Sequence, residues 1–198
     1  MSGFLVGARE RLEARQKVLV RFSFQTSNFS LPKSPNTEVN YNHLQCILIS
    51  TGTGYAPFRA FSQERSFALE KSLTTPLGKM TLFFGCRRRE EDYIYSEEIF
   101  DYNSTGVYTA VFEAFSREDP RKKIYVQDIL DHKEDMIRRL LYQVNGSIYI
   151  CGSTRMSKDI LRVIARHIAE YKDLSFEMAE EEVDRLMANK QICMEAWN

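Results

Sequence analysis

Four short apolar runs, LQCILIS (44–50), KMTLFFGC (79–86), VYTAVFEAF (107–115) and GSIYICGS (146–153), alternate along the chain with helix-like segments. This alternation constrains the fold more than any other feature. Runs that are apolar at nearly every position bury both faces, and consecutive parallel strands need a crossover long enough to hold a helix. The segments APFRAFSQERSFALEKSL (56–73), EEDYIYSEEIFDY (90–102), VQDILDHKEDMIRRLLYQV (126–144) and KDILRVIARHIAEY (158–171) supply those crossovers. In the third of them Ile129, Met136, Ile137, Leu140, Leu141 and Val144 recur at helical spacing. The pattern predicts an α/β fold: a doubly wound, mostly parallel sheet with helices on both faces. A last amphipathic stretch, AEEEVDRLMANK (179–190), leads into QICMEAWN.

The first forty residues read differently. GARERLEARQ (7–16) has helical character, KVLVRFSF (17–24) reads as a strand, and SNFSLPKSPNTEVN (27–40) is a polar, Pro-broken linker. The reading places a boundary near Pro35 to Tyr41, with 1–40 as the tail of one unit and 41–198 as the main domain. Lys+Arg and Asp+Glu both number 27, which argues against a general affinity for nucleic acid or an anionic membrane. A local cluster of cations would be hidden in that total. The cysteines at 46, 86, 151 and 193 are too widely spaced for a metal finger, and no metal site is expected. With no signal peptide, a cytoplasmic location is the default expectation. No run approaches membrane-spanning length.

In open parallel sheets ligands bind beyond the carboxyl ends of the strands, so the residues after each strand are the candidates. After the first come Gly52, Thr53 and Gly54, then Pro57 in a helical first turn, a combination that serves either a plain connection or a phosphate cradle. The third glycine of the usual dinucleotide fingerprint is missing, with Pro57 near its place. Cys86 and Arg87 follow the second strand, Arg87 as a phosphate partner, while Arg88 and Arg89 with Glu90, Glu91 and Asp92 read as a solvated helix start. After the third strand Ser116, Arg117, Lys123 and Tyr125 bring a hydroxyl, two cations and a phenol together. A ribose 2′-phosphate wants such a set, whereas an NAD site wants an acid for the free 2′-hydroxyl. After the fourth, Gly152 permits close approach and Cys151 sits at the crevice. Trp197 either caps an apolar patch or covers a flat conjugated ring.

In order, STGTGYAPFRAF, FFGCRRREEDYIY, AFSRE…KKIYVQ, YICGS and the terminal EAW resemble the NADP-binding, ferredoxin reductase-like module of the diflavin reductases. The resemblance covers about Leu44 to Asn198. It implies that Thr53 and its turn approach the pyrophosphate and nicotinamide of NADP(H). It also implies that Ser116, Arg117, Lys123, Tyr125 and Gln127 form a 2′-phosphate pocket, with Asp159 as an acidic contact. Cys151 and Glu195 would assist hydride transfer, and Trp197 would be a lid over the flavin.

Diflavin reductases also carry FAD and FMN domains, which are not found in this sequence. The opening segment resembles only the end of an FAD domain. The resemblance therefore implies an excised fragment, inactive alone, whose missing FAD and FMN domains pass electrons to an iron–sulfur or haem protein. Within the family, FSREDPRKKIYVQ, GSTRM and EAW lean towards the reductase of cytosolic iron–sulfur assembly, with NADPH–cytochrome P450 reductase as the alternative. Two readings of other classes stay open: a non-catalytic nucleotide-binding or interaction module, and a stand-alone enzyme on another α/β plan.

Overall fold

The computed structural model describes residues 27, 29, 45–71 and 78–197. The boundary near Pro35 to Tyr41 and the elements read in residues 7–24 lie outside the described residues. Five strands form one sheet in the order β3-β2-β1-β4-β5, every neighbouring pair parallel. They are β1 (Cys46–Thr51), β2 (Met80–Cys86), β3 (Ala110–Phe115), β4 (Ser147–Ser153) and β5 (Ile192–Trp197). The helices are α1 (Ala56–Lys71), the single turn α2 (Arg89–Asp92), α3 (Ser96–Ser104), α4 (Val126–Leu130), α5 (Glu134–Arg138), α6 (Thr154–Lys172) and α7 (Phe176–Ala188).

The doubly wound arrangement follows from strands that are apolar on both faces. In β1, Ile47 and Ile49 point into one cluster with Ile150, Ile160, Ile164, Val183 and Leu186. Cys46 and Leu48 point into the other, with Tyr55, Phe58, Phe84, Ile99 and Tyr149. Burying a branched or aromatic side chain contributes about 1.5–3 kcal/mol, so a strand with two apolar faces is stable only between two helical layers. Helix α6 covers one layer with Met156, Ile160, Ile164 and Ile168 and begins where Ser153 Oγ accepts from Met156 N at 3.3 Å. Strand order reverses between β1 and β4, and the crevice there is the binding position of such sheets.

The structure departs from the sequence reading in four places. Strand β3 starts at Ala110; the preceding Val107 and Tyr108 are buried, and Tyr108 bonds Tyr55 through the two hydroxyls at 3.0 Å. The helix read over 90–102 is broken by Tyr95, at φ +60. The helix read over 126–144 is broken after Leu130, because Asp131 O accepts from His167 Nε2 at 3.2 Å rather than from the next helical turn. It resumes as α5 and then a wide π turn over Arg139–Gln143. Finally, residues 192–197 form a fifth strand that their composition did not announce: Glu195 cuts the apolar run to the three residues Ile192–Met194.

Candidate functional site

Beyond β1 the chain makes a 3₁₀ turn over Gly52–Tyr55 and enters α1. The two glycines serve different needs. Gly52 has φ +53, a conformation that costs a residue with a Cβ. Gly54 is a close approach: a Cβ there would lie 2.2 Å from the Cys151 carbonyl oxygen and 3.1 Å from Trp197 Cη2. The turn therefore lies directly on the end of β4, with the indole against it. Thr51 wedges between neighbouring strand ends, Oγ1 being 2.9 Å from a Cβ placed on Gly152 and Cγ2 3.1 Å from one on Gly85. Gly85 in turn receives Val126 Cγ1, at 2.8 Å from its notional Cβ. Contacts run unbroken from β4 through β1 and β2 to the start of α4. Arg59 takes no part: it pairs with Glu98 at 2.6 Å, lies 4.9 Å from the Tyr95 ring centroid, and ties α1 to α3.

The ends of β2 and β3 stay zipped past the strands. Ser116 N donates to Cys86 O at 3.0 Å and Arg117 N to Arg87 O at 2.8 Å, so the loops carrying Arg87 and Arg117 run side by side. Their neighbours are already committed. Arg88 pairs with Glu91 at 2.7 Å, Arg121 with Asp119 at 3.6 Å, and Arg89 with Glu113 at 2.6 Å while lying over Phe115. Exposed Arg87, Arg117 and Lys123 have no carboxylate partner among the described residues. Ser116 Oγ donates weakly to Cys86 O at 3.5 Å. Tyr125, 43% exposed, precedes α4, its N–H held by Asp128 Oδ2 at 2.8 Å. Gln127 lies in the first turn of α4, half-buried. Asp159 is half-buried in the second turn of α6.

The third group comes from β4 and β5, whose register sets Cys151 beside Glu195 and Ser153 beside Trp197. Cys151 is 3% exposed, and its thiol is pushed up to about 12, chiefly by burial and secondarily by the Glu195 carboxylate. It stays protonated near neutral pH, which excludes a thiolate nucleophile. Burial, with Asp92 and Glu118 nearby, raises the Cys86 thiol to about 11. Trp197 leaves 42% of its surface exposed although its ring edge meets Gly54. The sequence reading took Thr51 together with its turn but missed Gly85 and Val126, which meet beside it, and Ser27, whose hydroxyl donates to Glu195 Oε1. No local signal marks Ser27, which sits in a polar linker.

A family profile described as an oxidoreductase NAD-binding domain matches residues 48–162. The chain belongs to this family. Among curated proteins it is 37% identical over 171 residues to inducible nitric oxide synthase of Gallus gallus, across 86% of this chain and 14% of the relative. It is 33% identical over 187 residues to NADPH–cytochrome P450 reductase of Mus musculus, across 94% of this chain and 26% of that protein. Human inducible nitric oxide synthase is 37% identical over 171 residues, again across 14% of its length. The resemblance to the NADP-binding module of the diflavin reductases therefore holds, and the chain spans a minor part of the relatives it matches. The parallel five-stranded sheet is the fold expected of such an NADP-binding oxidoreductase domain. No helix among the described residues is long and apolar enough to cross a membrane.

Proposed function

We propose that this domain binds NADPH across the carboxyl edge of its sheet, with the 2′-phosphate at Ser116, Arg117 and Lys123 and the nicotinamide end above Gly54 and Cys151. One observation carries the reading: a single line of contacts joins the Gly54–Cys151–Trp197 cluster to α4, beside loops whose Arg87, Arg117 and Lys123 are unpaired among the described residues. The Gly52–Gly54 turn and the N-terminus of α1 offer backbone N–H groups to a pyrophosphate. Tyr125 and Gln127 flank the adenosine end, and Asp159 borders the site from α6.

The cofactors supply the redox chemistry: a nicotinamide gives up a hydride and a flavin, here FAD on a separate domain, takes it. Glu195 holds negative charge near the ring that becomes cationic as hydride leaves, and the neutral Cys151 thiol lines the approach. Trp197 shields the site from water and moves aside for the nicotinamide. Electrons would continue through FMN to a metalloprotein. In the full protein we place that acceptor in cytosolic iron–sulfur assembly, on the resemblance of FSREDPRKKIYVQ and EAW. The 33% identity to NADPH–cytochrome P450 reductase supports the haem-protein alternative.

Calorimetry on the chain tests the pocket. NADP and 2′,5′-ADP should bind at least tenfold more tightly than NAD, with Arg117→Ala erasing most of the difference, as loss of a charge-assisted bond of about 1.5–3 kcal/mol implies. Equal affinities for NADP and NAD in the native chain would end the phosphate-pocket assignment.

A further inference from the structure

We propose that Ser27 is a positioning residue for Glu195, held in place by Phe29, so that a segment far upstream sets the charge at the nicotinamide end of the crevice. The proposal rests on the reading above that the ring lies over Gly54 and Cys151.

Glu195 lies near the end of β5, an edge strand with a neighbour on one side only, so the sheet does little to fix its side chain. The carboxylate lies beside Cys151 in register, and its hydrogen-bond partner among the described residues is the Ser27 hydroxyl. Ser27 is itself exposed and would be a poor support alone. Its oxygen, however, accepts from Phe29 N at 2.9 Å, which directs the hydroxyl proton to Glu195 Oε1. Phe29 provides the anchor. Its ring stacks on Phe58 of α1 at 5.9 Å and meets Tyr149 of β4 edge-on at 5.6 Å, and both of those rings are fully buried.

The arrangement is an aromatic peg, a backbone N–H that orients a hydroxyl, and a hydroxyl that pins one carboxylate oxygen. The second oxygen stays available to face positive charge. A carboxylate pinned beside the ring favours the cationic nicotinamide of NADP+ over the neutral dihydronicotinamide of NADPH, whereas one free to swing into solvent discriminates less because water screens it.

The test measures the NADP+/NADPH affinity ratio of the 198-residue chain by calorimetry, with 2′,5′-ADP as a probe that lacks the nicotinamide. It is run in the native background and with Trp197→Ala, which opens the face above Gly54. Ser27→Ala should lower the preference for NADP+ by about three- to tenfold, the worth of one hydrogen bond, and leave 2′,5′-ADP affinity unchanged. Ser27→Thr should restore the ratio. Phe29→Ala, which keeps the hydroxyl but removes its anchor, should reproduce the Ser27→Ala shift. A ratio unmoved by Ser27→Ala in both backgrounds would overturn the proposal, as would an equal loss for all three ligands, which marks a general structural role. Failure of the native chain to bind 2′,5′-ADP at all would instead bring down the nucleotide reading beneath it.

Discussion

On the β1–β4–β5 side of the crevice, backbone meets backbone. Gly54 lies against the Cys151 carbonyl and the edge of the Trp197 indole, and Met156 and Thr51 fill the space over Gly152. On the β2–β3 side the strand ends are joined by two backbone bonds and then open into loops rich in cations, some committed to carboxylates and some not. At Gly54 and Gly152 the first side is shaped by exclusion of volume and has no room for an added Cβ. The second is shaped by which charges are already matched, and it tolerates substitution wherever charge is unchanged. A long, flat ligand with an anionic end and a planar end needs both.

The sharpest way to break this contrast is Gly54→Ala. The added methyl meets a backbone oxygen that cannot rotate away, so the chain should lose about 2–3 kcal/mol and melt roughly 5–10 °C lower. Gly52→Ala adds a Cβ in open space and costs only the left-handed backbone, about 1 kcal/mol. Thermal unfolding of the two variants side by side checks this. Equal losses would mean that packing does not shape this side.

The thiols extend the comparison with a smaller effect. Both Cys151 and Cys86 have their thiols raised, to about 12 and about 11, so alkylation at pH 8 should be slow at both. A thiol that ionises less readily when folded than when unfolded stabilises the fold fully below about 9, and that contribution fades as pH rises towards the folded value. Labelling should therefore climb about tenfold per pH unit above 8. Half-buried Cys86 should react before Cys151. Peptide mapping by mass spectrometry decides it; rapid labelling of Cys151 at pH 8 would contradict a closed β4 end.

The smallest effect is expected at Arg88. Its pair with Glu91 is an exposed i,i+3 contact, and such pairs contribute a few tenths of a kcal/mol. Arg88→Ala should leave the melting temperature within about 1 °C and the NADP/NAD affinity ratio within about twofold. A loss as large as that expected for Arg117→Ala would show that the matched and unmatched cations are not distinct.

Much of the fold was readable because strands β1, β2 and β4 are apolar at nearly every position, and an apolar run of that length has few stable environments other than a covered parallel sheet. The breaks at Tyr95 and Asp131 were not readable. Each depends on partners remote in sequence: Arg59 and Tyr55 around the Tyr95 ring, His167 on the Asp131 carbonyl. Nor was β5, an edge strand whose composition lacks the buried pattern of the central strands.

At the site, residue types and their place after successive strands pointed to a glycine turn, a basic loop and a terminal tryptophan along one edge of the sheet, and the resemblance implied one shared ligand. The contact of the turn with the tryptophan comes from tertiary structure alone. Only the register of β4 and β5 sets Cys151 beside Glu195, and only packing sets Gly54 beneath Trp197. Which arginines remain unmatched depends on carboxylates brought in from β3 and α2. Local sequence determines which groups a chain can present, because side-chain chemistry and strand propensity are local. Distances between those groups, and therefore their charges' effects on one another, exist only once the sheet has closed the gaps of up to 168 residues that separate Ser27 from Glu195.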